Sequence, residues 1–355
     1  MTARVLLTVS GTIPADLEAR IAAGRRPRTD YLELARTLDA ELIDHEQARR
    51  EVGPIVRLLG RVLGRDVVLA WACHRRRHRY DVVFTDGEQV GIPLAALWWF
   101  TRRRPGHVMI AHFMSPLKKR LPFRLLRLQR HIDRVIVYAD AQRRLLVDGL
   151  GVPAEHVVLS PFMVDTRFFA PRPEPAGEVP LISSAGLEFR DYPTLIDAVR
   201  GTDVRVVIAA ASPWSKRADS TADVPLPANV EVRRLDHYDL RDLYAASTMV
   251  VVPVVETDFQ AGITTILEAM AMGKPLICTR TQGQTDTVVD GETGMYVPPG
   301  DATALRAAIQ DLLDDPDTAR RLGSAARSWA VAHAELDVYC RRFAAVVEDV
   351  RTERR

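Results

Sequence analysis

Short apolar runs alternate with amphipathic stretches along almost the whole chain, and this rhythm limits the fold more than any other feature. In the first half the strand-like runs are Val5–Val9, Leu42–His45, Val82–Thr85, Val108–His112, Val135–Tyr138 and Val157–Ser160. Helical patterns separate them at Ala48–Leu63, Glu88–Trp99, Lys119–His131 and Gln142–Leu150. Strands that read as continuous apolar runs are buried on both faces, which calls for parallel sheets covered by helices. The stretch Pro171–Pro180 holds four prolines and a glycine, so it can continue neither a helix nor a central strand. Beyond it the alternation resumes through Leu181–Ala185, Thr194–Arg200, Val204–Ala210, Val230–Arg233, Leu240–Ala246, Met249–Val254, Thr264–Ala271 and Leu276–Thr279. Helical patterns over Ala302–Leu313, Thr318–Ala332 and Leu336–Arg351 follow. The pattern describes an α/β protein of two doubly wound, Rossmann-like domains, residues 1–170 and 171–335, facing each other across a cleft. Residues 336–355 form a closing helix, free to pack back on the first domain.

A chain of 355 residues is long enough for two cores. Cys73, Cys278 and Cys340 are scattered and odd in number, which suits a reduced, cytoplasmic setting and no disulfide framework. The opening residues read as a buried strand running into a glycine turn, not as a signal peptide. No apolar run approaches the roughly 20 residues of a membrane span. Charge is uneven: residues 1–170 carry 28 Lys+Arg against 18 Asp+Glu, and the remainder 20 against 28. The basic runs Arg75–Arg77, Arg102–Arg104 and Lys118–Arg120 read first as a solvated face. Beside Trp98–Phe100 and the leucines of Leu121–Leu128, they also suit peripheral contact with anionic lipid on the cytoplasmic face of a membrane. No recognised module supports nucleic-acid binding. Self-association stays open.

The chemistry concentrates in Val250–Asp301. A buried strand ends near Pro253, a polar loop reaches Gly262, and a helix opens with Thr264 and Thr265 in its first turn. The first amide groups of a helix lack internal partners and carry the positive end of its dipole. Gly262 has no side chain to keep an anion away. Glu268 lies six residues on, about 9 Å along the axis, where a carboxylate suits a ribose diol. Gln260 precedes the phosphate position and would face a sugar. One segment could thus hold sugar, diphosphate and ribose in order.

This segment resembles the retaining glycosyltransferases of family 4, with the GT-B fold. The resemblance is carried by Gln260–Pro275 and by the glycine turns of Gly283–Asp301; Leu159–Phe169 looks like the family's bridge between domains. It implies Glu268 on ribose and Gly262, Ile263, Thr264 and Thr265 on the diphosphate. It places Gln260 where the family carries a first glutamate, so hydrogen bonding survives there but charge does not. It places Arg190 at a phosphate-binding lysine position, and Leu187 where an arginine usually stands. Lys216 or Arg217 could supply that charge. The resemblance also implies His112 at the donor sugar, Gly11 near acceptor and diphosphate, and base recognition by backbone near Leu235. Asp86 and Glu88, at the end of another strand, could line the acceptor site.

These residues predict a metal-independent hexosyltransferase-like enzyme with no cofactor. It would use a UDP- or GDP-linked sugar as donor and a small-molecule, glycan or lipid hydroxyl as acceptor. Two other functions stay open: nucleotide-sugar epimerisation or hydrolysis on the same fold, and nucleotide-sugar binding without catalysis.

Overall fold

The computed structural model describes residues 4–173, 179–210, 221 and 224–354, the side chain of Leu59 excepted. The chain forms two compact units. The first comprises the residues up to Glu18, Thr29–Ser160 and those from Tyr339 onward; the second comprises Ala19–Arg28 and Pro161–Val338.

In the first half, in chain order, lie β1 (Val5–Val9), α1 (Leu17–Ala22), α2 (Asp30–Leu38), β2 (Glu41–Asp44), α3 (His45–Glu51), α4 (Pro54–Leu63) and α5 (Arg65–Arg76). These are followed by β3 (Val82–Thr85), α6 (Glu88–Trp98), β4 (Gly106–Ile110), α7 (Leu117–Leu126), β5 (Arg134–Val137), α8 (Asp140–Arg144) and β6 (Val157–Leu159). The six strands pair in parallel in the order β2-β1-β3-β4-β5-β6. The chain runs outward from β1 to β2 and then reverses to β3, so the topological switch point lies between β1 and β3.

The second half holds β7 (Leu181–Ala185), α9 (Tyr192–Val199), β8 (Arg205–Ala209), β9 (Val230–Arg233), α10 (His237–Ala246), β10 (Met249–Val252) and α11 (Ile263–Ala271). It ends with β11 (Leu276–Thr279), β12 (Met295–Val297), α12 (Ala302–Asp314), α13 (Pro316–Trp329) and α14 (Leu336–Glu353). The strands again pair in parallel, β12-β11-β10-β7-β8-β9, and the switch point falls between β7 and β10. Apolar clusters cover both faces of this sheet. One is built on Val250, Val252 and α11, the other on Met249, Val251 and helices α9 and α12. The double coverage explains why these strands read as unbroken apolar runs.

The units divide at Ser160, not at the expected residue 170. The intervening segment is bound to the second unit: Val164 pairs with Glu335, Phe168 and Phe169 enter the core with α11, and Arg327 donates to the carbonyls of Thr166 and Phe169. Of the proline-rich stretch, residues 174–178 lie outside the described residues. The closing helix divides too. From Tyr339 on it belongs to the first unit, where the Tyr339 and Tyr138 hydroxyls meet at 2.8 Å and Phe343 stacks on Phe84. The single helix expected over Ala48–Leu63 is broken at Gly53–Pro54, where a proline takes the first helical position of α4. Helices α1, α2 and α5 were not legible in the pattern.

Asp165, Glu335 and Asp337 converge on one guanidinium in the second unit. Arg28 reaches them at 3.0, 2.7 and 2.7 Å, and its side chain is largely buried. Removing the cation leaves buried carboxylates facing one another. Arg28→Leu should therefore destabilise the second unit by about 3–5 kcal/mol, read as a lower urea midpoint. An unchanged midpoint would show that the carboxylates find other partners.

Candidate active site

Both switch points are bridged by a polar side chain. In the second unit the bridge is Arg190, only 6% exposed. The loops after β7 and β10 are zipped together: Arg190 pairs with Val254, the Asp191 amide donates to Pro253 and the Val255 amide donates to Phe189. The Arg190 guanidinium donates to the carbonyls of Ala185 (2.7 Å) and Glu188 (2.8 Å) and to the Thr265 hydroxyl (3.1 Å). Gly186 and Gly262 both have positive φ, 94° and 84°. A Cβ on either would lie 2.5 or 3.1 Å from a guanidinium nitrogen. The cation thus stands directly behind two turns that only glycine adopts without strain. Phe189, with φ 54°, strains the same loop and meets Phe259 edge-on.

Gly262 caps α11 without a side-chain hydrogen bond. Among the described residues the amides of Gly262, Ile263 and Thr264 meet no acceptor, and the first amide bonded back to this turn is that of Ile266, to Gly262. Thr264 is exposed, and Gly262 and Ile263 are half-buried. The amino end of α11 is therefore open and carries unsatisfied donors. Thr265 differs from expectation. Its hydroxyl is turned inward, accepting from Arg190 and donating to Ala185, because it sits on the core face of the helix. Arg190 likewise departs from a free phosphate-gripping cation, since these hydrogen bonds hold it in the loops.

Further along α11, Glu268 accepts from the Tyr244 hydroxyl at 3.0 Å. Burial pushes its carboxyl up to about 7, although Tyr244 and Arg190 both favour the ionised form. Tyr244 itself is held well above its ordinary value by burial and by the Glu268 charge, so it stays a donor. Gln260 donates to Thr287 at 3.3 Å, but its buried Oε1 has no partner among the described residues. The loop after β11 fixes this stretch. A Cβ on Gly283 would fall 2.2 Å from the Phe259 carbonyl oxygen, and Gln284 donates to the Ala261 carbonyl at 2.7 Å. Leu235 packs on the same core just before α10. Lys216 and Arg217 lie outside the described residues.

In the first unit the bridge is Asp86. It follows β3 and accepts from the Thr8 and Ser10 hydroxyls and the Ser10 amide at the end of β1, beside Gly11. Burial raises its carboxyl, as it does that of Asp30 nearby. His112 lies two residues beyond β4, which ends at Ile110. Its Nε2 meets the Asp86 carbonyl at 2.9 Å and must donate there, which leaves Nδ1 as the acceptor when the ring is neutral. Its backbone is clamped by Glu88 on the amide side and by Gln142 on the carbonyl. Glu88 also pairs with Lys119. Asp86 and Glu88, expected to line the acceptor site, thus spend their oxygens on positioning His112 and the β1 turn. Tyr244, Gln142 and Asp30 were missed because nothing in a helical pattern separates them from core or surface residues. Among the described residues no three His, Cys, Asp or Glu side chains converge as metal ligands. Nor is any helix among them long and apolar enough to cross a membrane.

Two parallel six-stranded sheets, each with polar loops gathered at its switch point, define the GT-B class. A sucrose-phosphate synthase from Thermosynechococcus elongatus superposes with a TM-score of 0.74 at 19% identity over 98% of this chain and 99% of that one. Anabaena HepE in complex with UDP-glucose gives 0.71 at 16% over 98% and 99%. Residues 14–168 match the family model described as Glycosyltransferase Family 4, and residues 189–315 that described as Glycosyl transferases group 1. The chain belongs to the family 4 glycosyltransferases. A D-inositol 3-phosphate glycosyltransferase from Kineococcus radiotolerans is 31% identical over 266 residues, 62% of this chain and 59% of that relative. The chain thus spans about three fifths of that relative's length.

The raised Glu268 carboxyl has a thermodynamic signature. Between about 4.5 and about 7 the folded state keeps a proton that the unfolded state has released. This group's stabilising share is therefore complete below about pH 4.5 and is lost as pH rises through about 7. Glu268→Gln removes the loss, so its stability relative to the parent should rise by on the order of 2 kcal/mol between about pH 5 and about pH 8. Parallel stability–pH curves for the two proteins would contradict a raised carboxyl.

Proposed function

We propose that the protein transfers a hexosyl group from a nucleotide diphosphate sugar, UDP- or GDP-linked, to a hydroxyl acceptor with retention of anomeric configuration. The observation that carries this reading is the open amino end of α11. Its first amides have no acceptor among the described residues, Arg190 lies behind Gly262, and Glu268 stands about 9 Å further along the helix. The diphosphate docks on the amides of Gly262, Ile263 and Thr264. The buried guanidinium adds positive potential without touching the anion. Glu268, ionised, accepts both ribose hydroxyls.

As the glycosidic bond breaks, the leaving diphosphate gains negative charge, and donors fixed in advance stabilise that charge without reorganising. No carboxylate occupies the position of Gln260, so the transfer has no covalent nucleophile there. The Gln260 amide, whose buried Oε1 lacks a partner, orients the sugar. His112, held by Asp86 and Glu88, is the first unit's candidate for the sugar, and the Ser10–Thr12 turn for the acceptor. A relative named for D-inositol 3-phosphate and HepE in complex with UDP-glucose support the reaction class and a nucleotide donor. The uncharged Gln260 is what favours the second reading, nucleotide-sugar binding without turnover.

Thermal melting with UDP-, GDP-, dTDP- and ADP-sugars tests the donor. One of the four should raise the melting temperature, as a ligand of the folded state does. Glu268→Ala should abolish that rise while leaving the unliganded protein folded. Because the diol needs the carboxylate, binding should also tighten from about pH 6 to about pH 8, and Glu268→Gln should flatten the profile. A full thermal shift in Glu268→Ala would remove Glu268 from the site. Binding with no product across acceptors would favour the second reading.

A further inference from the structure

A cavity lies away from α11, in the first unit beneath α4. It has a volume of about 760 Å³, and its lining includes His45, Arg49, Arg57, Leu58, Arg61 and Arg65, with Thr12 of the β1 turn. Arg49, Arg61 and Arg65 make no ion pair or hydrogen bond among the described residues, and Arg57 donates only from Nε, to the Val52 carbonyl. Glu46, the one carboxylate of the lining, is paired with Arg50. His45 is nine-tenths buried; its Nε2 lies 3.2 Å from Asp66, and its Nδ1 has no hydrogen-bond partner among the described residues. The cavity is therefore a concentration of uncommitted positive charge.

Helix α4 adds a second, independent feature. Gly60 lets it lie close on α5, since a Cβ there would fall 2.3 Å from Val68. With that face turned inward, Ile55, Leu58 and Val62 are left 74%, 61% and 82% exposed. Their spacing of three and four places them on one outward stripe. Arg57, Arg61 and Arg65 recur every fourth residue beside it, and residues 52–65 include no acid. An apolar stripe flanked by unopposed arginines is the makeup of a helix that lies at a lipid headgroup boundary.

We propose that this cavity receives the phosphate of an anionic lipid, whose chain lies along Ile55, Leu58 and Val62. The arginines supply charge and planar donors for the phosphate oxygens, and His45 Nδ1 a further donor when it bears the proton. The exposed stripe selects a lipid over a free phosphate ester, because a soluble ligand leaves that apolar surface in water. Thr12 and the Gly11 carbonyl, which accepts the His45 amide at 3.5 Å, connect the cavity to the turn at the first switch point. Joined to the transfer reaction above, on which this last step rests, the cavity makes the acceptor a phosphate-bearing lipid.

The test is sedimentation of the full chain with vesicles of phosphatidylcholine alone, or of equal parts phosphatidylcholine and phosphatidylglycerol. Binding should appear only with the anionic vesicles. Arg61→Glu with Arg65→Glu should weaken it roughly tenfold or more, and Leu58→Ser with Val62→Ser should weaken it at constant charge. All four positions are exposed, and unchanged melting curves confirm intact folds. Arg320→Glu, an exposed charge change on α13, should leave binding as it was. Absence of binding to anionic vesicles, or binding indifferent to the α4 variants, would overturn the proposal. So would displacement by glycerol 3-phosphate at equal phosphate concentration, which would assign the cavity to a soluble ester. Nucleotide-dependent melting, measured on the same preparations, separates failure of this site from failure of the donor reading.

Discussion

The guanidinium of Arg190 holds the second unit's functional end together. A buried cation needs compensation, and here it comes from two carbonyls and a hydroxyl belonging to three separate elements. Those bonds fasten the loop after β7 to the first turn of α11. They also explain the glycines. Any side chain at Gly186 or Gly262 would occupy the guanidinium's space as well as demand a left-handed backbone. The two glycine turns and the seating of the first turn of α11 all follow from one side chain filling the switch point from behind.

The first unit solves the same problem with the opposite sign. Asp86 ties the loop after β3 to the end of β1 through two hydroxyls and an amide, and its carbonyl orients His112. Glu88 and Gln142 clamp the backbone of the same histidine. In each unit, polar groups inside the protein are consumed in presenting a few others outward. Such presentation suits the proposed transfer, in which catalysis comes from positioning and fixed dipoles.

Much of this architecture was legible because doubly covered strands leave a plain record. Val5–Val9, Val82–Thr85 and Leu276–Thr279 fall at the expected residues. The helix opening after Gly262 was equally clear, since a glycine before a run of small and apolar residues has few other readings. The direction in which a side chain points was not legible. Thr264 and Thr265 are neighbours of the same type, yet one is exposed and the other faces Arg190, because helical geometry turns them about 100° apart. Arg190 reads as a phosphate-gripping cation until the loops around it are in place. The boundary at Ser160 was hidden for a related reason: Pro171–Pro180 announces a break in secondary structure, whereas unit membership is decided by where Phe168 and Phe169 are buried.

The division of α14 carries a consequence for biogenesis. Tyr339, Phe343, Val347 and Val350 are buried, and they belong to the unit whose sheet is made first. During synthesis the amino-terminal sheet emerges with a gap in its interior. It must wait, with Phe84 uncovered, until Phe343 and the rest of α14 have been made. The unit begun first is therefore the one completed last, and a nascent chain stalled within residues 339–354 leaves the ribosome with its later half able to fold and its earlier half unfinished.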